Sequence, residues 1–438
     1  MFTAFTTRPA GRSVLTTALV GLTAVALVGC AGGGSADSDG YGNFDYLAPN
    51  ENAIIRDAIT TLSANECAAA NEAMPLEIET LPQADVNQRL VLLASQNSLP
   101  TTFIAPTAEL RPGGVLGDDE TVVNLEEKLT ELGVMDSILP AAVSTVKNIY
   151  GGRFVSMPYQ FNIEGIFYNK AMFADLGLDE PQTWTELMAA ADAIEASGKQ
   201  AFTIPGSQSW LITRHIGNYI FRDLGPDALI KVANGDAKIT DPEYVAALEA
   251  VQAVGGYLGE GWSTMDLQTS VSQLLTGEVG MMYNGSWMLA DINNPEINQL
   301  GADAIGFMPF PGVTGGAGSI DQYPANAGAA TAFSTDKYNE GVDAWLTCIA
   351  ENYGSSVMNE QGVISGFALN QPVDEVPPLT GQVQNIMAEV TETVTWFELA
   401  FQPRAAAAAG ENAVPFMSGA MSAADFAATI QAAVEAEM

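Results

Sequence analysis

Basic residues are scarce in this chain. Its 438 residues include 16 Lys and Arg against 52 Asp and Glu, a formal charge of −36. Nucleic acid and anionic lipid surfaces both demand clustered cations, so the composition suits neither as a partner. Histidine is scarcer still, since His215 stands alone. That removes the commonest general base and, with no close cysteine cluster, a structural zinc site. No metal and no other cofactor is expected. The sequence also lacks G-x-S-x-G, H-E-x-x-H, G-x-x-x-x-G-K and G-x-G-x-x-G, so no familiar catalytic or phosphate-cradling motif is present. After the first thirty or so residues, no apolar run approaches the roughly 20 residues that a membrane helix needs.

What is present begins with a targeting segment. Arg8 and Arg12 precede an uncharged, mostly apolar stretch from Ser13 to Gly29. About 15 apolar residues are too few to span a bilayer but suit a signal peptide. The stretch ends in Leu27-Val28-Gly29-Cys30, which resembles a bacterial lipobox. Residues 1–29 are therefore expected to be removed, with Cys30 lipidated and residues 30–43 forming a flexible tether. Cys67 and Cys348 remain. In an exported protein they either form a disulfide or stay as two buried thiols.

The whole chain is 47% hydrophobic and 8% aromatic, enough for a large core. Short apolar runs alternate with helical periods, the pattern of an α/β fold. Strands are predicted at Phe44–Ala48, Leu76–Leu81, Thr101–Ala105, Ala201–Ile204, Val279–Tyr283 and Ala304–Met308. Thr183-Trp184-Thr185-Glu186 reads as a capping box opening a helix, and Ser422 reads as the cap of the last one.

The tryptophans are the most informative side chains. Trp184 sits in a helix's first turn and Trp345 lies on an amphipathic pattern with Val342 and Ile349, and both read as core. Trp287 follows the strand-turn Asn284-Gly285-Ser286, where Gly285 is expected to supply backbone freedom for a sharp turn. Trp210, Trp262 and Trp396 also lie near strand ends or loops. In open α/β sheets, ligands gather at the carboxyl ends of strands. An indole covers the apolar C–H face of a sugar ring while amides and carboxylates bond its rim. Trp287 is read as a ligand contact, with core packing as the alternative. The other three stay open between the two roles.

Several stretches together resemble the extracellular solute-binding proteins of ABC transporters, the family that includes maltodextrin-binding protein. They are Gly151-Gly152-Arg153-Phe154-Val155-Ser156-Met157-Pro158-Tyr159 with Gly165 to Lys170, Pro181 to Leu187, Leu274 to Met282 with Gly285-Ser286-Trp287, and Tyr338 to Leu346. The resemblance implies a two-lobed, type II periplasmic-binding-protein-like α/β fold with several hinge crossings and a ligand cleft between the lobes. Lobe one would comprise 44–158 and 330–378, and lobe two 159–329 and 379–438. It places Trp287 where sugar-binding relatives stack an aromatic on the ligand. Tyr159 and Asn162 fall at the first crossing, and Trp210 and Trp396 fall near further family aromatics. Trp262, Asn50, Glu51, Glu109 and Asn326 complete the candidate ligand contacts. The stretch Asn97-Ser98-Leu99-Pro100-Thr101, with Ala105 after the third strand, departs from the family pattern, so one wall of the cleft differs.

The implied function is a lipid-anchored, monomeric, non-catalytic sugar-binding protein on the outer face of the cytoplasmic membrane, delivering to ABC permease subunits. The alternatives are another small solute (a polyol, a glycerol phosphodiester or a peptide), a secreted glycoside hydrolase, and a sugar-binding adhesin or sensor. A phosphate-bearing ligand would want clustered cations. Only Arg214, Arg222 and Arg404 are even loosely available, which favours a neutral one.

Overall fold

The computed structural model describes residues 41–373, 375–390 and 393–437. The signal segment and Cys30 lie outside the described residues.

Two sheets organise the chain. The first has the order β2–β1–β3–β9, from Leu76–Leu81, Phe44–Pro49, Thr102–Ile104 and Thr331–Phe333. β1 runs parallel to β2 and β3, and β9 is antiparallel to β3. The second has the order β10–β8–β4–β6–β5, with β7 also on β4. Here β4 is Asn162–Asn169, β5 Gln200–Phe202, β6 Val279–Gly285, β7 Ile305–Met308, β8 Tyr323–Asn326 and β10 Thr393–Val394. The chain leaves the first sheet after β3, returns between β8 and β9, and leaves again after the long helix Glu340–Gln361.

Local chemistry explains the boundaries. Thr183 accepts from the backbone N–H of Glu186, whose carboxylate accepts in return from the Thr183 N–H, so the helix Trp184–Ala196 opens with a capping box. The Ser422 hydroxyl accepts from the Asp425 N–H at the start of Ala423–Glu435. β4 is buried along its whole length, as a central strand must be. Its alternation divides Ile166 and Tyr168 from Ile163 and Phe167, which join different hydrophobic clusters.

One large cluster packs around the first sheet and contains Phe44, Phe103, Tyr159, Phe333 and Trp345. A second packs around the helix Ser209–Leu224 and contains Trp184, Phe202, Tyr283, Phe310 and Phe426. Trp345 is fully buried, and Trp184 is stacked on Phe310 at 5.7 Å, so both are core residues. Cys67 and Cys348 form a disulfide with an S–S distance of 2.00 Å. It ties the segment after the first helix to Glu340–Gln361. Among the described residues no helix is long and apolar enough to cross a membrane.

Candidate functional site

The two large cores meet at the C-terminal segment around Phe397–Ala400. Trp396 and Leu399 belong to the first core, while Phe397, Ala400 and Phe401 belong to the second. Arg111, just after the short helix Thr107–Leu110, donates from Nη1 to the carbonyls of Leu399 at 3.1 Å and Phe401 at 3.4 Å. The segment is thus stitched to both halves of the molecule.

Beside it lies a group of three indoles and one guanidinium. The Arg214 guanidinium sits 4.6 Å from the Trp210 ring and 5.0 Å from the Trp396 ring. Trp210 and Trp287 are 5.8 Å apart and tilted. The helix Ser209–Leu224 explains part of this, because Trp210 and Arg214 are four residues apart on one face. Asn218 continues that face and donates to the Tyr283 hydroxyl at 2.7 Å.

Trp287 is placed by β6. Gly285 ends the strand in an extended conformation, φ −100°, so no unusual backbone angle is needed there. The expectation of a turn requiring glycine's freedom does not hold. Glycine is needed because the indole lies over it: a Cβ at Gly285 would sit 2.0 Å from Trp287 Cζ3. The indole is half-buried, with part of its surface open.

Beneath the rings runs a connected polar network. Arg214 Nη1 donates to Glu164 Oε1 at 2.5 Å, and its Nε lies 3.5 Å from Glu398 Oε2. The Tyr283 hydroxyl donates to Glu164 Oε2 at 2.5 Å. Thr213 donates to Glu398. Asn326 Nδ2 donates to Glu164 Oε1, while Asn326 Oδ1 accepts from Asn162, whose own Oδ1 accepts from Ser286. Glu164 is completely buried, a position a carboxylate tolerates only when paired and hydrogen-bonded. Burial alone would lower the Arg214 pKa, but Glu164 and Glu398 outweigh it and raise it. Burial raises the Glu398 pKa, opposed by Arg214. Burial holds Tyr283 well above the usual phenol range, so it stays a donor.

Comparison with known proteins settles the family. Residues 63–354 match the model of the bacterial extracellular solute-binding proteins. The chain belongs to that family. It is 25% identical over 204 residues to the multiple sugar-binding protein of Streptococcus mutans, covering 41% of this chain and 46% of that protein. It is 32% identical over 168 residues to the sn-glycerol-3-phosphate-binding periplasmic protein of Brucella abortus, covering 36% and 37%. The matched stretch is thus less than half of either relative. A chitin oligosaccharide binding protein of known structure superposes with a TM-score of 0.76 at 20% identity, covering 90% of this chain and 98% of that one. The fold of this solute-binding protein is therefore the two-lobed α/β one.

The solute-binding protein brings together Trp210, Trp287, Trp396, Asn162 and Asn326 of the sequence candidates. Others lie apart. Tyr159 is 2% exposed and packs against Tyr353 and Phe367 in the first core. Trp262 is buried in the second core behind the loop that leads to Trp210, with its carbonyl accepting from the Gly206 N–H. Asn50 and Glu51 are exposed at the carboxyl end of β1, where Glu51 accepts from the Gln83 N–H. Glu109 is half-buried and accepts from the Val115 N–H. Glu164, Arg214, Tyr283 and Glu398 were absent from the candidate contacts. Two signals pointed to the first two: a glutamate inside an otherwise apolar strand pattern for Glu164, and a Trp-x-x-x-Arg-x-x-x-Asn stripe at helical spacing for Arg214. Among the described residues no group of three His, Cys, Asp or Glu is placed to hold a metal ion.

Proposed function

We propose that the protein captures a carbohydrate, from mono- to oligosaccharide, outside the cell and hands it to the permease subunits of an ABC importer. The observation that carries this is the grouping of the half-buried Trp210 and Trp287, backed by Arg214 and the buried Trp396, over a hydrogen-bonded polar network where the two cores meet. Indole faces suit the apolar faces of sugar rings, and the partly exposed edges of Arg214 and Glu398 suit the hydroxyl rim. The sugar-binding relative from Streptococcus mutans supports the same ligand class. The proposed lobes are 44–158 with 330–378 and 159–329 with 379–438. Closing them on a ligand would desolvate it, complete its hydrogen bonds and present one closed shape to the permease.

The same reading keeps the protein monomeric and anchored by a lipid on Cys30, at the outer face of the membrane. The Cys67–Cys348 disulfide supports it, because Cys30 is the remaining cysteine of three. Hydrolysis is disfavoured by the carboxylates themselves. Glu164 has no exposed surface, and both Glu164 and Glu398 are engaged by Arg214. A glycosidase needs two carboxylates that reach the substrate. The similarity to a glycerol-phosphate-binding protein gives a second reading, a phosphorylated polyol.

Calorimetric titration with mono-, di- and oligosaccharides tests the ligand class. Saturable binding without appearance of shorter products supports it, and hydrolysis of the bound sugar would favour the enzyme. Cys30→Ala followed by cell fractionation tests the anchor: the variant is expected to leave the membrane, and full retention would refute lipidation.

A further inference from the structure

The three-indole site is built around a cation, yet that cation is already claimed twice. Arg214 meets Glu164 on one edge at 2.5 Å and Glu398 on another at 3.5 Å. Its side chain is 15% exposed, against 0% for Glu164 and 23% for Glu398. Recognition of a phosphate ester is commonly supplied by charged donors, above all a guanidinium presenting two parallel N–H groups. Among the described residues, the guanidinium that stacks on these rings is that of Arg214, and two carboxylates hold it. Arg111, the other cation that touches this segment, commits Nη1 to two backbone carbonyls. His215, next along the helix, is fully buried among Trp184, Tyr283 and Phe310.

We infer that Glu164 and Glu398 act as a charge filter: by neutralising Arg214 they make the site accept neutral polyhydroxyl ligands and reject anionic ones, phosphate esters included. This rests on the reading of the three-indole group as the ligand site, and it decides between that reading's two ligand classes. With both carboxylates ionised the group carries net negative charge, and with Glu398 protonated it is neutral. In neither state does a phosphate dianion meet a compensating charge, and desolvating it there is unfavourable. Discrimination by a repulsive element costs the neutral ligand little, because hydroxyl groups can still bond the partly exposed edges of Glu398 and Arg214.

The test uses the full chain, its Glu398→Gln variant and, in parallel, Glu164→Gln, with thermal unfolding to confirm that each folds. Calorimetry compares neutral saccharides with glucose 6-phosphate and sn-glycerol 3-phosphate. Wild type is expected to bind a neutral saccharide and to bind neither phosphate ester at millimolar concentration. Glu398→Gln frees one edge of Arg214 and is expected to improve phosphate-ester binding by about tenfold or more relative to wild type. Wild-type affinity for a phosphate ester equal to that for the best neutral saccharide overturns the filter. So does a folded Glu398→Gln variant, or a folded Glu164→Gln variant where the first does not fold, with unchanged preference, although the site itself then stands. Binding of neither class defeats the site assignment, and the filter with it.

Discussion

Gly285→Ala is a small change with a sharp expected consequence. The added Cβ would lie 2.0 Å from Trp287 Cζ3 and 2.2 Å from Cη2, where van der Waals contact needs about 3.5 Å. The ring must move by about 1.5 Å or rotate, because Gly285 is backbone in a buried strand and cannot yield as easily. One indole face against a sugar contributes roughly 1–3 kcal/mol at about 25 cal/mol per Å². Losing the smaller part of that weakens binding about tenfold, and Trp287→Ala, which loses all of it, about 10- to 100-fold. Stability responds differently. A fully buried tryptophan costs about 3–5 kcal/mol on truncation, whereas the half-buried Trp287 is expected to cost less. Calorimetry on each variant, paired with thermal unfolding, separates the effects. Normal affinity with a large loss of stability would make Trp287 a packing residue and refute the reasoning.

Three further outcomes follow from the interior. Burial lowers the His215 pKa to about 3, so its contribution to stability is present above pH 6.5 and is lost as pH falls toward 3. At pH 5 this amounts to about 2 kcal/mol, and His215→Phe is expected to lose less stability than wild type between pH 7 and 5 in denaturant titrations. Asp291 behaves oppositely: burial raises its pKa to about 6, so stability is full below about pH 4 and is lost as pH rises through 6. Its partial exposure reduces the effect to about 1–2 kcal/mol, and Asp291→Asn is expected to raise the melting temperature at pH 8 but not at pH 4. Replacing Cys67 and Cys348 with Ser opens a loop spanning 281 positions and is expected to cost about 2–5 kcal/mol, read by chemical denaturation. An unchanged midpoint would mean that the reduced chain is already constrained.

Much of the frame was legible because its signals are local. The Pro49 and Pro82 boundaries, the Thr183 capping box and the Ser422 cap act within one turn of chain, and β1, β2 and β6 formed where apolar alternation placed them. β4 escaped because burial on both faces erases alternation, and β8, β9 and β10 because so few residues carry little pattern and no proline marks their end, as Pro106, Pro205 and Pro309 do after the equally short β3, β5 and β7. The candidate site divided the same way. The position of Trp287 just after a strand end was visible from the apolar pattern before it. Arg214 and Glu398 are 184 positions apart, and no spacing rule reports a pair made only by tertiary packing. Tyr159 misled for a related reason: a tyrosine at a crossing can face either the gap or the core, and here Tyr353 and Phe367 take its ring into the core.

Calorimetric titration of neutral saccharides into wild type and Trp287→Ala, side by side, tests the central claim most directly. Wild type is expected to bind at least one saccharide saturably and one to one, and the folded variant to bind it about tenfold or more weakly. Failure of every saccharide to bind wild type, or equal affinity in the two proteins, would contradict it.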